Sequence, residues 1–393
     1  MILGASSNQL PAIQKAIDLG LYVITADYLP QNVGHRFSHQ YVNCSTIDQE
    51  GILQVAKELN IDGVMTMASD VATPTVGYVA EQLGLTGGSP SAANILSNKA
   101  KFRKFQQEQG FHCPEFIVGS QVEDVEEGLT ALSPPLMFKP VDASGSRGIS
   151  KVDKVDKKQT RAAFESAKRY SLSETVCVEE YVEGVDVSGD GFLLNGRLGF
   201  ALITNKHKNG FVVTGHSVPT TLSVKDQGRV LAEVAASCKA AGYTDGPLDF
   251  DVRVSPEYVI ILEMSPRLGG NGIPMIIEHA TGVDLISASI FFALGETVDV
   301  SKKWEDVRSC GSWIFGSEYG GILEGIAAKQ EFTSAVPEVF EYVVHYQIGE
   351  LVPHFVHSAA SLGYALFDCP WEIGYTKMVK KIGEALGMKV TYA

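Results

Sequence analysis

The sequence predicts an α/β protein with a smaller α+β insertion, and three observations carry that expectation. Apolar runs alternate with helix-period segments in the first part of the chain, short strand-like runs alternate with polar helices after Gly110, and two tight-turned hairpins follow. A chain of 393 residues, 45% apolar and 20% charged, is long enough for two or three separate cores.

The segment ILGASSNQLPAIQKAIDLGLYVITAD passes from an apolar run through a Gly/Ser/Asn turn into a helix, stops at Gly20 and resumes as a second apolar run, the pattern of a βαβ unit. A helical pattern near 47–59, a short strand at 63–67 and a helix ending at Gly84 add a second round. Residues 1–88 are therefore expected to form a parallel sheet of three or four strands. Asp27 follows Gly4 at about the dinucleotide-fingerprint distance, but GASSNQ lacks the second and third glycines that let a pyrophosphate approach, so no dinucleotide site is expected there.

Next comes a basic helix, SNKAKFRKFQQEQG, ending at Gly110. From 111 to 185 the pattern runs FIVGS, a helix through Glu123 to Ala131, LMFKPV, a Gly/Ser loop, a helix over 158–170 and TVCVEEYVEG. Asn195-Gly196 marks a two-residue hairpin turn. A helix over 225–241 precedes the second hairpin, and the remainder holds strand-like runs at 310–315 and 338–347 and a final helix at 373–386.

The net charge of −14 argues against a broad phosphate-binding surface, so nucleic acid is not an expected partner. Six widely spaced cysteines, with no CxxC and no zinc-type spacing, read as reduced thiols. No run approaches ~18 consecutive apolar residues and the N-terminus lacks a signal-like core, so the expectation is a cytoplasmic protein with no membrane partner.

The richest chemistry lies in LEMSPRLGGNGIP, residues 262–274. Paired with LDFDVRV so that Val254 opposes Tyr258, the register puts Asp249 directly across from Glu263 and gathers Asp251, Arg253 and Ser265 on the same face. Opposed carboxylates repel. A divalent cation removes that penalty, and oxygen ligands favour Mg²⁺, which takes one or two carboxylates together with nucleotide phosphates; a solvated polar face is the alternative. Arg267 supplies a planar fork for phosphate oxygens, and the glycines after it let backbone N–H groups approach an anion. FKPVDASGSRGIS offers a second phosphate-binding element, with Lys139 at a strand end followed by a Gly/Ser loop. VEEYVEGVD is a third, whose backbone can read an adenine edge and whose last acid can bind ribose hydroxyls.

In this order the elements resemble the ATP-grasp carboxylate ligases, over residues 1 to about 300: Lys99 in the basic helix, Lys139 with SGSRG, Glu179-Glu180-Tyr181-Val182, Asp249 in LDFDV, and Glu263-Met264-Ser265-Pro266-Arg267 for the terminal motif. The resemblance implies ATP-grasp architecture: an N-terminal parallel-sheet domain at 1–88, an ATP-grasp domain at 89–300 with 111–185 as a mobile lid, and a C-terminal domain at 301–393. It implies that Lys99 and Lys139 hold ATP phosphates under a loop of Ser144, Gly145, Ser146 and Gly148. Glu179, Glu180, Tyr181 and Val182 would meet adenine, Asp186 the ribose, and Lys206 or Lys208 the γ-phosphate. Asp249, Glu263 and Ser265 form the implied metal set. Arg267 and Lys139 are the implied catalytic residues, with Arg267, Gly269, Gly270 and Asn271 beside the substrate.

Two positions depart from the family pattern. Asp186 stands where glutamate is usual, and Ser265 where asparagine contacts a metal. RLGGNGIPMIIEHATGVDL is most similar to the amino-acid ligase branch. The implied activity is ATP-dependent joining of a small-molecule carboxylate to an amine through an acyl phosphate, with Mg²⁺ or Mn²⁺ as the metal; a homodimer is left open. No convincing general base is identified: His207, His216 and His279 are candidates by location only, and a hydrogen-bonded structural histidine is the favoured reading for each. A bicarbonate or purine/carbamoyl-type substrate, or a non-catalytic nucleotide-binding protein, are the alternatives.

Overall fold

Four parallel strands, in the order β3-β2-β1-β4, account for the early apolar runs: β1 (Ile2–Leu3), β2 (Ile24–Ala26), β3 (Gln40–Val42) and β4 (Met65–Thr66). They belong to a computed structural model that describes residues 1–301 and 307–392. Helices α1 (Leu10–Asp18), α2 (Gln49–Glu58) and α3 (Thr73–Leu83) bury Ile13, Ile52, Leu53 and Val79. The Asp48 side chain caps α2 by accepting from Gly51 N–H, and Gly84 ends α3 at φ +67°. Asp27 accepts from Ala5 N–H, Leu29 N–H and the Asn32 amide, so it braces the turns after β1 and β2.

The chain divides into two compact units, the first comprising residues 1–202, 222–269 and 285–301. After α4 (Pro90–Leu96) and α5 (Lys99–Gln109), it holds an antiparallel sheet in the order β5-β8-β6-β7. The strands are β5 (Phe116–Gly119), β6 (Leu136–Pro140), β7 (Ser150–Val152) and β8 (Val176–Glu180), with helices α6 (Val122–Gly128) and α7 (Lys157–Tyr170). Val125, Leu136, Phe138, Phe164 and Val178 form its own core. This is the α+β piece expected for 111–185.

β9 (Val185–Leu194) and β10 (Arg197–Asn209) join through Asn195 and Gly196 at φ +52° and +73°, the positive angles that a two-residue hairpin turn requires. In this unit β9 pairs with β12 (Gly246–Val254), which pairs with β13 (Val259–Ser265); α8 (Val224–Ala241) packs on both.

The second hairpin departs from the expected register. Val254 pairs with Val259, not Tyr258, because the turn closes with Ser255 N–H donating to Tyr258 O at 2.9 Å. That longer turn alone would put Glu263 on the apolar face. A β-bulge between Asp251 and Val252 leaves Leu262 without an opposite residue and turns the strand back, so Glu263 faces Asp251 and Ser265 faces Asp249. The acidic face survives with different partners, and Asp249 does not sit directly across from Glu263.

The second unit comprises residues 203–221, 270–284 and the described residues from 307 on. Its main sheet runs from the later part of β10 through β11 (Val212–Val218), β14 (Cys310–Phe315), β18 (Gly363–Asp368) and β16 (Val339–Val344), all antiparallel. A small sheet, β17-β15-β19, adds β15 (Gly321–Gly325), β17 (Leu351–Val352) and β19 (Lys389–Tyr392). Helices α9 (Ile273–Thr281), α11 (Lys329–Ala335) and α12 (Tyr375–Leu386) complete it, and α10 (Leu285–Ala293) belongs to the first unit. Phe315, Leu323, Phe332, Phe367 and Met378 centre its core. β14 and α12 lie where the sequence places them; β18 and the small sheet were not expected. Residues 302–306 and 393 of the expected C-terminal domain lie outside the described residues.

The six cysteines are free. Among the described residues no single helix is long and apolar enough to cross a membrane. Phe164 is fully buried against α6 and the β5-β8-β6-β7 sheet, so Phe164→Ala is expected to destabilise this piece by ~3–5 kcal/mol. A lowered urea midpoint for protection of its amides checks this; an unchanged midpoint would show that its core does not hold it.

Candidate functional site

Three neighbouring strands of the first unit line up polar side chains on one face. Along β9 and β12, Asp186 opposes Arg253, Ser188 opposes Asp251 and Asp190 opposes Asp249; along β12 and β13, Asp251 opposes Glu263 and Asp249 opposes Ser265. After β13 the chain turns, with Arg267 N–H donating to Ser265 O at 2.9 Å, and brings the guanidinium back over this face. Arg267 Nη1 lies 2.6 Å from Asp249 Oδ2, while Nε and Nη2 bind Asp70, which stands just past β4. Gly269 N–H then reaches both carboxylate oxygens of Asp190, at 2.9 and 3.1 Å.

Lys99 opens α5 and is nearly enclosed. Its Nζ donates to Glu263 Oε1 and to Ala143 O, both at 2.8 Å, tying the stem of the Gly/Ser loop to an acid of the implied metal set. In the loop, Gly145, Ser146 and Gly148 take φ of +70°, +62° and +69°, and the Arg147 side chain closes it by donating to Ser144 O at 3.0 Å. Lys139, on β6, pairs with Glu179, whose other oxygen accepts from Arg103 Nε at 2.9 Å.

The electrostatics follow from burial. Asp249 is pushed up to about 7 by burial, with Arg267 pulling down and Asp251, Asp70 and Glu263 pushing further up. Burial and the Asp249 charge hold Asp190 well above the usual carboxylate range, against the pull of Gly269 N–H and Arg267. For Asp70, burial is outweighed by Arg267 and Lys99, which bring it below the usual range. Burial disfavours the Lys99 charge, but Glu263 and Asp70 more than restore it.

The implied nucleotide-hinge residues are already in use within the chain. Glu179 is 2% exposed between Arg103 and Lys139, and Glu180 accepts from Ser133 N–H at 2.7 Å. Tyr181 N–H donates to Pro135 O at 2.7 Å, and Val182 O accepts from Arg253. Arg253 also pairs with Asp186 at 2.5 Å and lies 5.2 Å over the Tyr181 ring.

Lys206, Gly270 and Asn271 fall in the second unit. Lys206 opposes His216 in the β10–β11 ladder, Gly270 O accepts from Ile273 N–H at 3.1 Å, and Asn271, at φ +55°, accepts from the Ser312 hydroxyl at 2.8 Å. The three candidate histidines also lie in this unit, and each has a structural partner. His207 stacks on Tyr375 and meets Ser217, with burial pushing it down to about 4; His216 meets Thr204, and His279 pairs with Asp368 over Phe340.

Asp70, Arg103 and Asp190 are the site residues that sequence reasoning missed. Asp190 was within reach, because it continues the period-two polar face of β9 through Asp186 and Ser188. Arg103 lies one helical turn from Lys99. Asp70 had only a weak signal, its place at the carboxyl end of a parallel strand, where α/β sheets bind ligands.

Among the described residues no group of three or more His, Cys, Asp or Glu side chains is arranged to hold a metal ion. A pair of carboxylates completed by phosphates is a different site, and Asp249 with Glu263 has the oxygen chemistry for Mg²⁺. Asp70 and Asp249 share one guanidinium, that of Arg267, while Glu263 takes the Lys99 ammonium.

Residues 132–275 match the family model described as ATP-grasp domain. The chain carries an ATP-grasp domain. The fold agrees over the full length: the chain superposes on an L-amino acid ligase from Bacillus licheniformis with a TM-score of 0.82 at 21% identity, covering 100% of this chain and 98% of that one. In sequence it is 22% identical to the L-arginine-specific L-amino acid ligase of Bacillus subtilis, over 69% of this chain and 68% of that protein. It is 23% identical to carnosine synthase 1 of Homo sapiens over 61% of this chain, and the match spans about a third of that protein, 31%.

Glu179 is expected to make the domain that holds it acid-sensitive. Burial alone would raise its pKa, but Arg103 and Lys139 bring it to about 2, from a usual 4.5. A depressed acid contributes stability above its unfolded pKa and loses it as pH falls through the folded one, so this contribution should vanish between pH 4.5 and about 2. Thermal unfolding at stepped pH is expected to show Glu179→Gln less stable near neutrality and flatter across that window. A variant curve parallel to the wild type would mean that the pair is not formed.

Proposed function

We propose that the protein is an ATP-dependent carboxylate–amine ligase that forms an amide or peptide bond through an acyl phosphate, releasing ADP and phosphate. The observation that carries this reading is the Lys99 ammonium, which links the Gly/Ser loop stem to Glu263 at 2.8 Å on each side. A phosphate-covering loop and a metal-type acid thus meet at one buried cation, with Lys139 and Arg267 as the further cations of the same unit.

In this reading Lys99 and Lys139 neutralise the ATP phosphates while Ser144 to Gly148 close over them. Asp249 and Glu263, with Ser265 beside them, would hold Mg²⁺, or Mn²⁺ in its place, which when bound offsets charge on the phosphate oxygens. A substrate carboxylate oxygen bonds to the γ-phosphorus as the bond to ADP breaks. Arg267 faces the transferred group. The amine nitrogen then bonds to the acyl carbon, phosphate leaves, and the amine gives up a proton. Such chemistry depends on positioning and charge stabilisation and needs no protein nucleophile, in keeping with a site of lysines, arginines and acids. The loop also has to exclude water, which would hydrolyse the acyl phosphate.

The glycine segment after Arg267 and the likeness to L-amino acid ligases support amino acids as the substrate class, and a cytoplasmic location belongs to the same reading. ADP release over paired amino acids is the direct assay; release with bicarbonate alone would favour the carboxylating alternative. Lys139→Ala and Glu263→Gln are each expected to lower turnover by ~10²-fold or more in a folded protein, and near-normal rates in either would sink the site assignment. Amides at 142–150 should exchange more slowly with ATP and Mg²⁺ present. Unchanged exchange would remove the loop from the nucleotide site.

A further inference from the structure

Asp70 belongs to none of the motifs, yet it is 3% exposed and in direct contact with Arg267, itself 6% exposed. Arg267 Nε–H donates to Asp70 Oδ1 at 2.9 Å, and Nη2 donates to the same oxygen. The Nη1 side is left for Asp249 and for Leu268 O, at 2.6 and 3.1 Å. The turn that carries Asp70 is fixed from three directions. Gln9 Nε2 donates to Met67 O at 2.5 Å, Ala68 N–H donates to Leu268 O at 3.0 Å, and the Thr73 hydroxyl donates to Asp70 O at 2.8 Å. Ala68 takes φ +54° to make this approach, a backbone angle that a residue with a side chain seldom adopts.

We propose that Asp70 is a positioning residue for phosphoryl transfer: it holds the Nε/Nη2 edge of Arg267, so that the guanidinium meets Asp249 through Nη1 alone. The inference rests on the ligase reading above. A guanidinium can chelate a carboxylate with two parallel N–H groups. Without Asp70, the acid that remains in contact with the buried Arg267 is Asp249. Bidentate pairing there would occupy both oxygens of the carboxylate that the proposed reaction needs for its cation. Asp70 prevents this by taking one edge first.

The test is a double-mutant cycle in the full chain, with Asp70→Ala, Arg267→Lys and the double variant, measured by ADP release under Mg²⁺ titration. Asp70→Ala is expected to lower kcat ~10-fold or more and to raise the half-saturating Mg²⁺ concentration, with the KM for ATP within ~2-fold. Lysine has no Nε/Nη2 edge, so in the Arg267→Lys background the same change should add little. Equal losses in both backgrounds, or an Asp70→Ala enzyme with normal kcat and Mg²⁺ requirement, overturn the proposal. If Asp70→Ala does not fold, Asp70→Asn keeps an oxygen for Nε–H and should show the same pattern in weaker form. A readout independent of turnover is the ¹⁵Nε–H signal of Arg267, expected to exchange slowly in the wild type and fast in Asp70→Ala. Fast exchange in the wild type overturns the clamp even if the enzyme is active. Slow exchange without turnover on any substrate pair leaves the clamp standing and rejects the ligase reading.

Discussion

Buried negative charge is the constraint that organises this site. Asp70, Asp190, Asp249, Asp251 and Glu263 lie on or against the face built by β9, β12 and β13, and a carboxylate removed from water is unfavourable unless something replaces its hydration. Each acid has its own answer. Asp70 takes an edge of Arg267, Glu263 takes Lys99, Asp251 takes the Ser188 hydroxyl, and Asp190 takes the Gly269 N–H. Asp249 is raised to about 7 first by burial, which the shared Arg267 only partly offsets and which Asp251, Asp70 and Glu263 reinforce. In the proposed reading, closely spaced acids edged by lysines suit a ligand that brings both phosphates and a divalent cation, because each part neutralises what the other would repel.

The backbone makes the face possible through two irregularities that offset each other. The turn at Ser255–Tyr258 is longer than the tightest pairing would need, and this alone would rotate every later side chain of β13 to the wrong side. The bulge at Leu262 restores the alternation just before Glu263. A bulge also frees backbone groups from the ladder, and here Arg103 uses them: Nη2 donates to Leu262 O at 2.8 Å and Nη1 to Ile261 O at 3.3 Å. The same guanidinium holds Glu179 through Nε, and Glu179 holds Lys139. One buried arginine thereby connects the bulge that orients Glu263 to the strand lysine across the domain.

Local signals in the sequence were reliable where local physics decides the outcome. Gly84 and Gly110 end their helices in left-handed conformations, Asn195-Gly196 makes its turn, and the alternation in LDFDVRV places apolar and acidic side chains on opposite faces. Opposite residues were not legible in the same way, since a pairing depends on turn length and on bulges, and an unseen change in each shifted the partner of Glu263 from Asp249 to Asp251. Contacts between distant segments were harder still. Arg267 and Asp70 are 197 positions apart, and no pattern around either residue specifies the other. Asp190 stands between these cases, visible from the polar alternation of β9 once that strand is placed beside β12.

The anchoring of β8 bears on how a nucleotide enters. The strand's last residues are held at Glu179 by Arg103 and Lys139, and the segment beyond is held by Arg253 at Val182 O and Asp186. A buried acid with two cations on it does not detach at little cost, because each group would be left charged and dry. The Gly/Ser loop has weaker ties: a side-chain contact from Arg147 within the loop, and the Lys99 contact at its stem. Its positive-φ residues lie in a segment flanked by β6 and β7, both paired in the sheet. A movement confined to loop 144–148 would therefore break fewer buried ion pairs than a movement that separates Glu179 from Arg103.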